Sequence, residues 1–370
     1  MNKPLHIVHT ESSCGWGGQE IRILTEARGM IQRGHHVVLL CPPQAPIFAA
    51  AAKHGVPVEA LPIARKGWRG VLSMRRWLRA HPGVSLINTH SSTDSWLAAV
   101  ACAALRKAPP IVRTRHVSST VPDNRPTRWL YGTAARHVVT TGEALRQQLH
   151  RDNRLPLGHL TSVPTGIDLA RFAPGDKLAA RATLGLEQQG VYLGIVGTLR
   201  SWKGHAYLLE AMTRLSADHP DLKLLIVGDG PQRENLERKI AELGLDSKVK
   251  LAGQRDDVPL WLNAMDIFTL PSYGEEGVPQ AIMQAMACGV PVVSTTVGAI
   301  GEAVLDGETG ILVAPRDSAA LAAALGRLLA DPELRRGMGE AGLARARQRF
   351  GAELMLDKME AVFLHSAGRG

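Results

Sequence analysis

The sequence predicts an α/β protein built as two doubly wound parallel-sheet units in tandem. Short leucine-, valine- and isoleucine-rich runs alternate with helical patterns along the chain. The alternation starts afresh after a seam at 163–174, where Pro164, Gly166 and Pro174 punctuate the chain. With 370 residues, two domains of ordinary size are expected at ~100–200 residues each.

In the first unit, residues 5–10 read as a buried strand, 15–18 as a turn and 19–33 as a helix with Ile21, Leu24 and Ile31 inward. Gly34 stops that helix, and 36–41 forms the next strand. Strands follow at 85–90, 110–115 and 137–140. The second unit repeats the scheme, with strands at 191–197 and 223–228 and helices at 204–216 and 232–243. Further segments are expected at 249–252, 258–265, 267–271 and 292–294, then a helical tail from residue 319. A helix at 279–288 is bounded by Pro279, placed like a first-turn proline, and by Gly289 and Pro291 beyond its end. The domain reading is 1–168, 169–350 and a C-terminal helix, 351–370, packing back toward the first domain. Ligands of such sheets bind beyond the carboxyl ends of the strands.

Charge is divided unevenly. Residues 1–168 carry 21 basic and 9 acidic side chains, net +12, whereas residues 169–370 carry 22 and 25, net −3. A basic first half suits an anionic surface or substrate. Aromatics make up only 4% of the chain, which argues against a nucleic-acid reader that stacks bases. Cys14, Cys41, Cys102 and Cys288 stand far apart, so neither a zinc site nor a disulfide framework is suggested, and a reducing cytosol is the expected compartment. The first residues show no signal-peptide core. The longest apolar run, near 97–105, falls short of the ~18–20 residues a membrane span needs, so any membrane contact is expected to be peripheral.

Three segments carry chemistry. Between the first strand and helix, Gly15-Trp16-Gly17-Gly18 is either a tight turn or a loop whose amides approach a phosphate at a helix start. In Gly197-Thr198-Leu199-Arg200-Ser201-Trp202-Lys203-Gly204, the cations Arg200 and Lys203 enter a helix, where a cation opposes the dipole. They suit a diphosphate that gains charge as it leaves. Third, Glu276-Gly277-Val278-Pro279 opens the 279–288 helix, with Gln284 a little over one turn inside it. There an anion and a polyol can be held together. No D-x-D pair or ligand-spaced His/Cys cluster is present, so no metal site is expected. Arg113, Arg115 and His116, just beyond a strand end, are candidates for an anionic acceptor. Arg65, Lys66, Trp68, Arg69, Arg75, Arg76, Trp77 and Arg79 are interleaved with Val71, Leu72 and Leu78, which fits either a helix resting on anionic lipid or a solvated basic face.

As an ordered set these segments resemble the retaining family 4 glycosyltransferases of the GT-B fold. The set is Gly17-Gly18, His90 in Asn88-Thr89-His90, Val163-Pro164-Thr165-Gly166-Ile167-Asp168, Lys203-Gly204, Gly228-Asp229-Gly230-Pro231, and Glu276-Gly277 before Ala285-Met286-Ala287-Cys288-Gly289. The resemblance implies two Rossmann-like domains facing each other across a cleft, with acceptor bound by the first and nucleotide sugar by the second. It implies transfer of a sugar from a nucleoside diphosphate sugar, with retained configuration, to a cell-surface glycan or lipid-linked acceptor such as a lipopolysaccharide core. No cofactor is implied; the nucleotide sugar is a co-substrate. Lys203 and Arg200 would neutralise the diphosphate, helped by the Gly277 and Val278 amides and by Gly17-Gly18. Glu276 would hold donor-sugar hydroxyls, Gln284 the ribose, and His90 would lie beside the reacting centre, making His90, Glu276 and Lys203 the catalytic set. The expected location is cytoplasmic, on the inner face of the membrane.

Three positions depart from the family pattern. Gln284 replaces a usual Glu, Thr198 a usual Arg, and Thr165 a usual Asn. A nucleotide-sugar epimerase of the same fold and a non-catalytic scaffold are the alternative readings.

Overall fold

The computed structural model describes residues 3–117, 119–274 and 276–368. Ser118, Glu275 and the ends of the chain lie outside the described residues. The chain divides into two compact units, one of residues up to Gly166 together with those from Ala352, the other Ile167–Gly351.

The first unit holds seven parallel strands: β1 His6–Thr10, β2 His36–Cys41, β3 Val58–Ala60, β4 Leu86–Thr89, β5 Ile111–Arg115, β6 Ala135–Thr140 and β7 Leu160–Ser162. Their order is β3-β2-β1-β4-β5-β6-β7. In β1 and β2 the period of two sends Val8 and Leu40 to one apolar core and Ile7 and Leu39 to another, so both faces of the sheet are covered. The second unit holds β8 Val191–Val196, β9 Leu222–Val227, β10 Val249–Gly253, β11 Ile267–Leu270, β12 Val292–Thr295 and β13 Gly310–Val313. These are again parallel, in the order β10-β9-β8-β11-β12-β13. In each sheet the winding reverses at one point, β1/β4 in the first and β8/β11 in the second. Crevices for ligands open at such points.

Several sequence expectations are corrected. The first helix runs Gly18–Gln32 and buries Ile23, Leu24, Ala27 and Met30, leaving Ile21 exposed and Ile31 half-buried. Its apolar stripe simply starts later than expected. Pro279 is the N-cap, extended at φ −71° and ψ 125°, so the helix begins at Gln280 and ends at Ala287. The tail is three helices, Ser318–Ala330, Pro332–Arg349 and Ala352–Ser366. Asp331 caps the second of these by accepting from Leu334 N at 2.9 Å, with Pro332 in its first turn. The last helix belongs to the first unit. There Arg33 donates to Glu353 and Glu360, both at 2.8 Å, and Leu356 packs on Gly29, where a side chain would collide with it. β3, β7 and β13 have three or four residues each, too few for an alternation to stand out.

Candidate active site

In the second unit, the segments that follow β8 and β11 meet at the winding reversal. After β8 the chain makes a short 3₁₀ turn, Ser201–Lys203, and enters the helix His205–Leu215 through Gly204. Gly204 has φ +78°, and a Cβ there would lie 1.9 Å from the Pro271 carbonyl oxygen. Only glycine fits, and the close approach brings the end of β11 against Lys203. Lys203 Nζ lies 2.6 Å from Glu276 Oε1, which also accepts from Ser272 Oγ at 2.7 Å. Both members of the pair are mostly buried, so their attraction is screened less than a surface pair's. Gly298 supports Glu276 from behind: its φ is +58° and a Cβ would stand 2.1 Å from the Glu276 carbonyl oxygen.

Arg200 is exposed, its guanidinium 5.0 Å from the Trp202 ring centre. Val278 is buried and Gly277 half-buried, and both precede the helix Gln280–Ala287 on which Gln284 is half-buried. His205, immediately after Lys203-Gly204, is buried, and burial followed by the Lys203 charge outweighs a contact with the Arg200 backbone and pushes its pKa down to about 4. It is a neutral imidazole at pH 7.

In the first unit, the ends of β1, β4 and β5 carry a chain of three imidazoles. His9 Nδ1 lies 2.9 Å from His90 Nε2, and His90 Nδ1 lies 2.9 Å from His116 Nε2. In each pair one nitrogen must hold the proton and the other the lone pair, so the three tautomers are tied together. Burial lowers the pKa of His9 to about 3, and burial with neighbouring positive groups holds His90 and His116 well below the usual histidine range. His9 and His90 are buried; His116 is the half-exposed end.

Asp94 fixes this corner. It accepts from Thr10 Oγ1 at 2.7 Å, from the His90 amide at 2.9 Å and from the Ser91 amide at 2.8 Å, closing the first turn of the helix Ser92–Ala103. Beside it Glu11, buried, accepts from the Ser13 amide at 2.6 Å and from Gln19. Desolvation, and then the Asp94 charge, raise its pKa well above the ordinary carboxylate range. Gly17 is the N-cap of the first helix and Gly18 its first residue. The Glu20 carboxylate turns back toward that N-cap, so part of the helix's positive end already faces a carboxylate.

Arg113 and Arg115 alternate along β5 and are both buried. The Arg113 guanidinium lies 4.6 Å from the Tyr131 ring centre, and Arg115 Nη1 donates to the Tyr131 hydroxyl at 3.0 Å. Thr165, the substituted seam residue, accepts from the buried Arg22 at 3.3 Å.

The structure thus brings Lys203 and Glu276 together, joins His90 to His116, and gathers Arg113 and Arg115 on one aromatic ring. His9, Glu11, Tyr131, Ser272 and His205 join these sites without belonging to any of the sequence motifs. His205 was marked by its place after Lys203-Gly204 and His9 by its place at the end of a buried strand. Tyr131 and Ser272 had no such signal, since their contacts are long-range.

Comparison with known proteins agrees with this geometry. Residues 16–171 match the Glycosyltransferase Family 4 model and residues 190–331 the Glycosyl transferases group 1 model. A D-inositol 3-phosphate glycosyltransferase of Nocardia farcinica is 30% identical over 92% of this chain and 80% of its own length. The lipopolysaccharide core biosynthesis mannosyltransferase LpsB of Rhizobium meliloti is 33% identical over 55% of this chain and 60% of its own. The match to the D-inositol 3-phosphate glycosyltransferase of Segniliparus rotundus, at 31% identity, likewise spans 60% of that relative. Among solved structures, Anabaena Alr3699/HepE in complex with UDP-glucose superposes with a TM-score of 0.86 at 22% identity, covering 98% of this chain and all of that one. A glycosyltransferase from Rickettsia africae does so with a TM-score of 0.89 at 19% identity, over 99% and 100%.

The two Rossmann-like units have the GT-B fold, and the family matches make the protein a glycosyltransferase. The chain belongs to the family 4, group 1 glycosyltransferases.

Proposed function

We propose that this enzyme transfers a sugar, with its anomeric configuration retained, from a nucleoside diphosphate sugar to a glycan or lipid-linked acceptor of the cell surface, without a metal ion. The Lys203–Glu276 pair is the observation that carries this reading. An ammonium has three donors and here spends one on Glu276, so two can meet diphosphate oxygens as charge develops on the leaving group. The Glu276 carboxylate, held by Lys203 and Ser272, is set in place to receive sugar hydroxyls, and Arg200 adds a second, exposed cation. On the acceptor side His116, the half-exposed end of the imidazole chain, meets the substrate, while His90 and His9 behind it fix its tautomer.

The names of the relatives support a polyol or glycan acceptor, one being an inositol phosphate enzyme and one a lipopolysaccharide core enzyme. A cytoplasmic, peripheral position on the inner membrane face is supported by the helix Trp68–Ala80. Val71, Met74, Trp77 and Leu78 face the core, while Trp68 and Leu72 are 75% and 58% exposed among Arg69, Arg76 and Arg79. At 3.6 residues per turn Trp68, Leu72, Arg76 and Arg79 fall within about 80° of one another, the pattern of a helix lying on anionic lipid. Among the described residues no helix is long and apolar enough to cross a membrane.

The test is a transfer assay with labelled nucleotide sugars in the presence of EDTA, with lipid-linked and soluble acceptors, reading the product anomer by NMR. A product with the donor's anomeric configuration supports the reading. An inverted product, or a strict Mg²⁺ requirement, would overturn it.

A further inference from the structure

We infer that Arg113 and Arg115 form a binding site for a phosphomonoester group carried by the acceptor, an inference that rests on reading the first unit as the acceptor-binding one. Four arginines of the described chain are buried, and they fall into two kinds. Arg22 and Arg181 each have a carboxylate partner, Glu26 at 3.6 Å and Asp266 at 2.6 Å. Arg113 and Arg115, 4% and 9% exposed, have none within 4.0 Å among the described residues, and the Nε of each is buried without a hydrogen-bond partner.

An unpaired buried ion is costly, and two side by side on one strand face are costlier still, unless a ligand supplies the missing charge. Neighbouring groups supply it only in part. Tyr131 gives its ring to Arg113 and its hydroxyl to Arg115, and Ser119 accepts from Arg115 Nη2, all without charge. Asp94 lies near enough to offset part of the Arg113 charge, but its oxygens are hydrogen-bonded to Thr10, His90 and Ser91 and it makes no ion pair with Arg113 within 4.0 Å, while Arg115 has no such neighbour among the described residues.

Two positive charges call for a ligand with about two negative ones, which a phosphomonoester carries near pH 7 and a carboxylate does not. The guanidinium fork also matches phosphate oxygens better than an ammonium would. Position ties the site to transfer. Arg113 Nη1 donates to the Ser91 carbonyl oxygen at 3.3 Å, one residue beyond His90, and His116 directly follows Arg115. A phosphate held here orients the acceptor beside the imidazole chain.

The experiment follows thermal unfolding of the full chain with EDTA and saturating UDP, so that the nucleotide site is already filled. Inorganic phosphate and D-inositol 3-phosphate should raise Tm saturably, and unphosphorylated inositol should not. Arg113→Gln should fold with a Tm equal to or above wild type when no ligand is added, because an unpaired charge is removed. It should lose at least tenfold in apparent phosphate affinity while still binding UDP. Arg113→Lys should recover part of the loss. Vesicles containing phosphatidic acid, set against pure phosphatidylcholine, separate a lipid-borne phosphate from a soluble one. Protection by either source supports the site and names the carrier. No protection by any phosphomonoester, or equal protection of Arg113→Gln, would overturn it. Failure of the transferase reading itself would show differently, as phosphate protection without binding of any nucleoside diphosphate.

Discussion

Lys203 and Glu276, 73 positions apart, form a 2.6 Å ion pair because Gly204 lets the turn after β8 press against the end of β11. The pair is a structural joint and, in the proposed function, a pair of ligand groups, and the two roles respond differently to substitution.

Glu276→Gln keeps the size of the side chain and removes its charge. The kcat/KM for the nucleotide sugar is expected to fall about 10²–10³-fold, since a positioned charged partner of the reacting sugar is lost. The fall should be smaller in a Lys203→Ala background, because the two residues act together. Steady-state kinetics of the four proteins check this, and strictly additive losses would separate the roles of the two residues.

Gln284→Glu restores a carboxylate on the inner turn of the helix Gln280–Ala287. A carboxylate accepts from both ribose hydroxyls where an amide offers one acceptor oxygen. Donor KM should stay level or fall up to about tenfold with kcat preserved. An inactive Gln284→Glu would mean that this position is not at the ribose.

The imidazole chain makes stability depend on pH. His9, His90 and His116 stay neutral in the folded state well below pH 6.5, whereas the unfolded chain takes up those protons around 6.5. The folded state therefore binds fewer protons, and stability is lost as pH falls below about 6.5, by about 1.4 kcal/mol per pH unit for each histidine. His9→Asn can keep a bond toward His90 and removes one of the three. Urea unfolding between pH 6.5 and 5.5 should show the variant losing about 1 kcal/mol less than wild type. Equal losses would place a protonated imidazole in the folded chain.

Binding to vesicles rich in phosphatidylglycerol should weaken when Trp68 and Leu72 are both changed to Ser, and separately when Arg76 and Arg79 are changed to Glu. Each reversed cation should cost about 1 kcal/mol of attraction or more, diminishing with salt. Co-sedimentation at low and high ionic strength reads this directly, and unchanged binding would make the helix Trp68–Ala80 an ordinary solvated surface.

Much of this architecture was legible in the sequence because it depends on local pattern. The buried strands β1, β2, β8 and β9 announce themselves as apolar runs, and Gly289 marks a helix end with φ +75°. Lys203, Glu276 and His90 were visible as members of an ordered set. What the sequence concealed depends on distance along the chain. Nothing local says that Ser272 will share an oxygen of Glu276 with Lys203, that His9 will meet His90 across 81 positions, or that two β5 arginines will share Tyr131. The Ile21 expectation failed for a local reason, since a stripe read from Ile21 and one read from Ile23 differ by only half a turn.

The most direct test of the central claim is calorimetric titration of nucleoside diphosphates and their sugar conjugates into wild type, Lys203→Ala and Glu276→Ala with EDTA present. One diphosphate should bind wild type without metal, Lys203→Ala should weaken it at least tenfold, and Glu276→Ala should lose mainly the increment contributed by the sugar. Undiminished diphosphate binding by Lys203→Ala would contradict the assignment of this pair as the donor site.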